Sequence, residues 1–162
     1  MSEGALDVFI AVTPRQSREL WKAREQFSEG VTAMNPHVYF TSDIVVPFSK
    51  VPDLMKAVKD MEVTYGTRIP TVGHIADGNI HSGICKPDGI PPEQWPRKAE
   101  EIFDQMTRIA IDLGGVGSGE HGVGMLKRPT FLATKTETEL ALMRGIKNLF
   151  DPKGILNPGK IL

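Results

Sequence analysis

Two histidines flank an Asp-Gly turn signal, at a spacing that suggests a shared metal ion. Residues 69–85 read IPTVGHIADGNIHSGIC, two apolar runs on either side of Asp77-Gly78, which is a strong hairpin signal. A two-residue turn pairs His74 with His81, and directly opposed side chains lie about 5 Å apart, so both imidazoles could reach one divalent ion. A three-residue turn would instead pair His74 with Ser82. The alternative interpretation is two hydrogen-bonded histidines in a polar groove.

A glycine-rich segment adds a third candidate ligand and a candidate base. Residues 117–122 read Gly-Ser-Gly-Glu-His-Gly. The spacing matches a dinucleotide fingerprint, but a predicted helix precedes it and Glu120 would oppose a pyrophosphate, so we reject that function. Glycines let the backbone approach a ligand closely while presenting Glu120 and His121 side by side. Glu120 would complete a His-His-Glu metal site and His121 would act as a general base. The alternative is a mobile loop with solvated charges.

Composition and charge exclude several classes of partner. The chain has 162 residues, 40% hydrophobic and 24% charged, with 19 basic against 20 acidic residues and a net charge of -1. No block of like charge would follow a phosphate backbone or an anionic membrane, so neither nucleic acid nor lipid is expected as a partner. No apolar run would span a bilayer and no signal peptide is recognisable, which predicts a soluble, cytoplasmic protein. Cys85 is the only cysteine, which excludes an internal disulfide and a cysteine-rich metal site.

Helical and strand-like segments alternate along the chain. Helices are predicted over about residues 15–29, 52–65 and 92–113, with a final helix starting at the Thr136-x-x-Glu139 capping-box pattern. Residues 38–47, VYFTSDIVVP, predict a strand that ends at the proline. With the hairpin, this favours an α+β fold in one domain, with helices packed on one face of an antiparallel sheet. The apolar stretches near the two ends, the strand-like LDVFIAV and the tail LNPGKIL, indicate that a neighbouring domain covers them.

Four stretches of the sequence together carry a resemblance to a known family: LWKARE (20–25), VGHIADGNIH (72–81), SGEHGVGMLKRP (118–129) and LFDPKGILNPGKIL (149–162). They resemble the C-terminal region of the FAD-linked oxidase family, which includes glycolate oxidase, D-lactate dehydrogenase and D-2-hydroxyglutarate dehydrogenase. The resemblance implies a ferredoxin-like cap, or substrate, domain spanning residues 1–162 and incomplete at its N-terminus. Its C-terminal helix and tail would return to an FAD-binding domain that the chain lacks.

The resemblance also implies roles for the residues singled out above. His74, His81 and Glu120 match the ligands of a divalent metal, which could be zinc, manganese or iron. His121 matches the base that removes the hydroxyl proton of the substrate. Arg24 matches an arginine that binds the substrate carboxylate, a role that suits a guanidinium; from the residues alone, a solvated arginine on a helix surface is the alternative.

Three further residues lie within the resembling stretches. Asn79 and Asn157 are candidate cofactor contacts and Lys127 is a further site candidate, although Asn79 could be only a turn residue and Lys127 only a surface charge. The implied enzyme oxidises a small 2-hydroxy acid by hydride transfer to FAD. Its expected partners are the substrate and an FAD-binding domain or subunit that holds most of the FAD, with homo-oligomerisation left open. The chain alone is expected neither to retain FAD nor to oxidise 2-hydroxy acids.

Two positions depart from the 2-hydroxyglutarate enzymes of this family. Those enzymes carry a lysine shortly before the aspartate of a strand, where this chain reads Thr41-Ser42-Asp43, and an asparagine where this chain has Gly83. Because a cation for a second carboxylate is missing, glycolate or D-lactate is the expected substrate. A stand-alone metal-dependent hydrolase using the same residues and a non-catalytic binding domain are the alternative functions.

Overall fold

The structure, a computed structural model, describes residues 9–40 and 42–162. These residues form two compact units, the first ending at Pro36 and the second spanning His37–Leu162. Within the described ranges, no helix combines the length and the apolar character that crossing a membrane requires. The strand-like stretch LDVFIAV lies partly outside the described residues, and its described part, residues 9–12, forms no strand.

The described part of the first unit contains two helices, α1 (Pro14–Glu25) and α2 (Phe27–Met34). The predicted single helix over residues 15–29 is therefore wrong. Gln26, with φ -88° and ψ 7°, interrupts the helical repeat between α1 and α2. The second helix continues to Met34 and stops where Asn35 becomes extended, because the proline that follows disfavours a helical conformation at the preceding residue.

The second unit has the predicted α+β architecture with a small antiparallel sheet. Its elements are β1 (Tyr39–Phe40), β2 (Ile44–Val45), α3 (Val51–Tyr65), β3 (Thr71–His74), β4 (Asn79–Ile84), α4 (Trp95–Asp112), α5 (Arg128–Ala133) and α6 (Glu137–Phe150). Strand β4 is central: β3 pairs along one edge, and β1 and β2 pair along the other, all antiparallel. The predicted single strand over residues 38–47 is instead divided into β1 and β2. Between them, Ser42 and Asp43 are buried but not in a strand.

One face of β4 and the inner faces of α3 and α4 form the hydrophobic core. Strand residues alternate between two faces, and Ile80 and Ile84 point into the core with no exposed surface. Helix α3 matches the predicted helix over 52–65 and ends at Gly66 in a left-handed conformation with φ 59°. The predicted helix over 92–113 begins instead at Trp95. The opposite face of β4 is left free to carry polar side chains.

The C-terminal part begins as predicted but packs less completely. Helix α6 starts at the expected capping box, in which Thr136 and Glu139 exchange hydrogen bonds between side chain and backbone. The short helix α5 before it was not predicted. Along α6, Leu140 is buried, whereas large apolar side chains further along the helix are more than half exposed. These are Leu142, Ile146, Leu149 and Phe150.

Candidate active site

His74 and His81 lie on the same face of the β3–β4 hairpin, but in a different register from the predicted one. The connection is four residues long, 75–78, so that His74 pairs with Asn79 and His81 with Val72. The predicted direct pairing of the two histidines is therefore wrong by a shift of two residues. Because side chains alternate between faces with a period of two, this shift leaves both histidines on one face. Their rings meet edge to face with centroids 5.7 Å apart.

The conformation of the turn explains the register. A two-residue type I′ turn requires a positive φ at both Asp77 and Gly78. Only Gly78 has one, at 68°, while Ile75–Asp77 form a 3-10 turn. Gly78 also packs so closely against the residue that follows β2 that an added Cβ would lie 1.9 Å from the carbonyl oxygen of Val46. The turn geometry is thus set by contact with a distant segment of the chain.

Asp43, which sequence reasoning did not select, lies next to His81. Strand β2 pairs with β4 through Val45 and Asn79, and extending this register places Asp43 beside His81 on the same face. One carboxylate oxygen of Asp43, Oδ1, lies 4.0 Å from His81 Nδ1. The Asp43 side chain is fully buried. A lone carboxylate beside the apolar run Ile44–Val46 was the available sequence signal.

The carboxylate of Asp43 accepts hydrogen bonds from successive residues of the glycine-rich segment and from a lysine. The donors are Ser118 Oγ (3.1 Å), Gly119 N (3.0 Å), Glu120 N (3.1 Å), His121 N (2.9 Å) and Lys127 Nζ (3.0 Å). Burial alone would raise the pKa of Asp43, but the backbone N–H groups and the ammonium stabilise the anion and lower its pKa well below the usual value. Asp43 is therefore ionised at neutral pH.

The glycine-rich segment is anchored to the sheet rather than free in solvent. Val116 and Val45 exchange backbone hydrogen bonds of 2.8 and 3.0 Å. A Cβ added at Gly119 would lie 2.7 Å from Val45 Cγ2 and 2.9 Å from Asp43 Oδ1. The close approach therefore requires glycine at this position, and it fixes where the next two residues, Glu120 and His121, begin.

Glu120 faces three imidazoles. Its Oε1 atom lies 2.9 Å from His81 Nε2, 3.7 Å from His74 Nε2 and 3.9 Å from His121 Nε2. Ligand atoms of His74, His81 and Glu120 all lie within 4.8 Å of one another. Ligands at 2.0–2.1 Å from a tetrahedral metal are about 3.4 Å apart, so small side-chain adjustments would allow these three to bind one ion.

His121 is held beside this cluster by its backbone and by its ring. The ring stacks on that of His81, with centroids 4.9 Å apart and an interplanar angle of 18°. A second group, Asp43, His81 and His121, also has ligand atoms within 4.8 Å of one another. It is less suited to a metal, because the Asp43 carboxylate already accepts the hydrogen bonds described above. His121 is therefore available for other chemistry.

Lys127 and Asn79 are both buried, at 8% and 7% exposure. Lys127 is not a surface charge: its Nζ donates to Asp43 and, at 3.1 Å, to Ser118 Oγ. Asn79 is the first residue of β4 rather than part of the turn. Its Nδ2 atom lies 3.1 Å from where a Cβ of Gly119 would be, and its Oδ1 has no hydrogen-bond partner among the described residues.

Arg24 lies in the first unit, in the last turn of α1. Its guanidinium stands over the indole ring of Trp21, 5.4 Å from the ring centroid, and both residues are exposed. Within that unit, Arg24 is a solvated arginine on a helix surface, which is the alternative considered from the sequence.

Asn157 lies in the tail after α6, exposed and with a left-handed φ of 47°. It lines a groove of about 550 Å³ together with Lys160 and Gly124. A second groove, of about 450 Å³, contains His121 and shares Gly124 and Lys160 with the first. The two grooves therefore adjoin, and the backbone N–H of Ile161 donates to the carbonyl of Gly124 at 3.1 Å across their junction.

Comparison with known proteins gives a match along nearly the whole chain. The sequence model described as FAD linked oxidases, C-terminal domain, matches residues 1–161. Similar proteins include a D-lactate dehydrogenase of Anaerostipes hadrus, 32% identical over 99% of this chain and 34% of that protein. A D-2-hydroxyglutarate dehydrogenase of Stutzerimonas stutzeri is 34% identical over 96% of this chain and 33% of its own length. The glycolate oxidase subunit GlcD of Bacillus subtilis is 35% identical, with 97% and 33% covered. The chain thus spans about a third of the length of these relatives.

Proposed function

Because this chain belongs to the family of C-terminal domains of FAD-linked oxidases, we propose that it supplies the metal site and the base for oxidation of a small 2-hydroxy acid to the 2-oxo acid. In this proposal, most of the FAD is held by a domain or subunit outside the chain. The observation that carries the proposal is the convergence of His74, His81 and Glu120, with His121 stacked beside them. Family membership favours this function over a stand-alone hydrolase.

The donor set suits a divalent transition metal. Two imidazole nitrogens and one carboxylate are common ligands of zinc, manganese and iron, and three protein ligands leave positions open for a substrate. Glu120 and His74 have partly exposed side chains, at 53% and 39%, so the open side faces outward. When bound there, a metal would lower the pKa of the substrate hydroxyl and favour an alkoxide-like transition state.

His121 is the proposed base. Its backbone N–H donates a hydrogen bond of 2.9 Å to Asp43 Oδ2, and stacking on His81 restrains its ring. The side chain of His121 is nevertheless 56% exposed to solvent. A neutral imidazole in this position would take the proton of the substrate hydroxyl. The chemistry that FAD would supply, when held by the partner domain, is acceptance of the hydride from the substrate carbon that bears this hydroxyl.

The side chain of Phe40, in β1, favours a monocarboxylate as the substrate. A Cβ added at Gly83 would lie 2.5 Å from the ring of Phe40, so Phe40 occupies the space that a longer side chain at residue 83 would need. Phe40 also lines the groove that contains His121, and its apolar ring suits the methyl group of D-lactate or the hydrogen of glycolate. Of the segment that departs from the 2-hydroxyglutarate enzymes, Thr41 lies outside the described residues. Ser42 and Asp43 supply no cation.

The remaining candidates have roles in substrate and cofactor binding. Arg24 would bind the substrate carboxylate through its planar guanidinium. Asn157, in the groove that adjoins the one at His121, and Asn79, beside the glycine-rich segment, would contact FAD. The groove through Gly124 and Lys160 offers a continuous surface between the proposed base and Asn157.

Metal content of the chain, purified without chelator and reloaded with zinc or manganese, tests this proposal. Near-stoichiometric metal is expected in the wild-type chain and is expected to be lost in His74→Ala and Glu120→Ala. Matched controls are His37→Ala and Glu93→Ala, since both residues are exposed and lie outside the site. Absence of metal from the reloaded wild-type chain, or its retention in both site variants, would contradict the proposed metal site.

A further inference from the structure

We propose that Asp43 is the positioning residue of this site, orienting the His81 ring through Nδ1 while it fixes Glu120 and His121 through their backbone N–H groups. This inference rests on the proposed function, because His81 and Glu120 are taken as metal ligands. The juxtaposition that carries it is a fully buried carboxylate between the imidazole of one strand and the backbone of a glycine-rich segment.

The two oxygens of Asp43 are used unequally. Oδ2 accepts from Ser118, Gly119, His121 and Lys127. Oδ1 accepts from the backbone of Glu120. A carboxylate oxygen offers roughly two acceptor positions, so Oδ1 retains one, and it is the oxygen that lies 4.0 Å from His81 Nδ1.

His81 Nδ1 is the matching group. It is buried and has no hydrogen-bond partner among the described residues, which is unusual, because buried polar atoms are nearly always satisfied. An unused acceptor and an unpartnered ring nitrogen therefore face each other across a gap that an adjustment of about 1 Å would close to hydrogen-bonding distance. The carboxylate–histidine–metal arrangement of many metal sites has this form.

This arrangement assigns the two nitrogens of His81 separate tasks. Nε2 lies 2.9 Å from Glu120 Oε1 and is the nitrogen directed at the proposed metal position. Without metal, a proton on Nε2 satisfies the contact with the Glu120 carboxylate. With metal, the ring proton belongs on Nδ1, where Asp43 Oδ1 accepts it. Asp43 thereby selects the tautomer that leaves Nε2 free to bind the ion.

The same carboxylate sets the position of Glu120 and His121. Three successive backbone N–H groups, from residues 119 to 121, point at it, and Gly119 N also donates to the Asp43 backbone carbonyl at 2.9 Å. Lys127 balances the buried charge. One side chain is therefore coupled to a proposed metal ligand on the sheet, to a second in the loop, and to the proposed base.

The substitution Asp43→Asn tests this role almost isosterically. An asparagine amide keeps one acceptor oxygen, which we expect at the position of Oδ2, where the loop and Lys127 donate. The amide nitrogen then takes the position of Oδ1. There it is a donor facing two other donors, His81 Nδ1–H and the backbone N–H of Glu120. Because this variant leaves Lys127 buried without its counter-charge and could fail to fold, the double variant Asp43→Asn/Lys127→Met restores neutrality. Asp53→Asn, on the exposed surface of α3, is the matched control.

The readouts are the zinc dissociation constant by chelator competition, the ring ¹⁵N shifts of His81, and amide exchange over residues 119–121. Both Asp43 variants are expected to bind zinc about 10- to 100-fold more weakly than wild type and the control to bind as wild type does. Wild type with zinc should carry the His81 proton on Nδ1. Amide exchange of the three loop residues is expected to be about tenfold faster in the variants even without metal.

The outcomes separate this inference from the proposed function. If wild type binds zinc and the folded double variant binds it equally well, the inference is overturned while the metal site stands. If wild type binds no zinc, the proposed metal function fails. The exchange measurement then still decides the positioning of the loop, since unchanged exchange in the folded double variant would refute it.

Discussion

Gly119 lies where the glycine-rich segment crosses the sheet, and the substitution Gly119→Ala probes that contact directly. The added methyl group would lie 2.7 Å from Val45 Cγ2, 2.9 Å from Asp43 Oδ1 and 3.1 Å from Asn79 Nδ2. Val45 can rotate away, but Asp43 is fixed by its hydrogen bonds and Asn79 is buried. The segment must therefore move outward, taking Glu120 and His121 with it.

The expected cost combines two opposing effects. Overpacking a well-filled site costs about 1–3 kcal/mol, whereas replacing glycine by alanine stabilises by about 0.4–1 kcal/mol by restricting the unfolded chain. The net loss is therefore at most about 2.6 kcal/mol and about 1.3 kcal/mol at the mid-points of the two ranges. For a chain of this size, the mid-point value corresponds to a Tm lower by roughly 4 °C. Zinc affinity should fall as well, because Glu120 leaves the position where it faces His81.

Thermal unfolding by circular dichroism and zinc titration measure the two effects. The control is Gly145→Ala, since Gly145 lies within α6 with no atom within 4 Å of an added Cβ. That variant should be stabilised by about 0.5–1 kcal/mol and should bind zinc as wild type does. A Gly119→Ala chain with a Tm at or above that of wild type and unchanged zinc affinity would refute the steric argument.

Three further predictions concern pH, metal and flavin. Folding lowers the pKa of Asp43. The carboxylate therefore contributes to the free energy of unfolding above about pH 4, the pKa of an aspartate in the unfolded chain, and this contribution is lost as the pH falls below that value. Urea unfolding between pH 6 and pH 2.5 should show this loss, and a loss of the same size in Asp43→Asn/Lys127→Met would contradict it. Zinc at 100 times its dissociation constant should raise the free energy of unfolding by about 2.7 kcal/mol, and EDTA should reverse this rise. The rise should be absent in His81→Ala. An equal rise in that variant would mean that the ion binds elsewhere. The purified chain should show no flavin absorbance and no turnover of D-lactate or glycolate, and turnover by the chain alone would disprove the assignment of most FAD binding to another domain.

The locally encoded features were predictable from the sequence. The start of α6 depends on Thr136 and Glu139, three residues apart, and the end of α3 depends on Gly66; both are as predicted. The α+β class followed from the alternation of helical and strand-like segments. In the first unit, Gln26 carried no signal strong enough to predict the break between α1 and α2.

Features set by distant contacts were not predictable from local signals. The register of the hairpin depends on Gly78 meeting the backbone of Val46, which no local turn rule contains. The proximity of the candidate site residues was predicted more closely than the register. His74 and His81 lie on one face of the hairpin, and Glu120 and His121 lie beside them. Asp43 was missed because the groups that donate hydrogen bonds to its carboxylate lie 75 or more residues away in the sequence, beyond the reach of spacing arguments.

The glycine-rich segment has an inverted polarity compared with a phosphate-binding loop of similar spacing. In a phosphate-binding loop the backbone N–H groups project outward to receive an anionic ligand. Here the N–H groups of residues 119–121 turn inward to an anion that the protein itself provides, Asp43. The outward side instead carries a carboxylate and an imidazole, Glu120 and His121. We expect such a loop to present negative charge outward and to favour cations, so a glycine pattern alone does not reveal the sign of the charge it recognises.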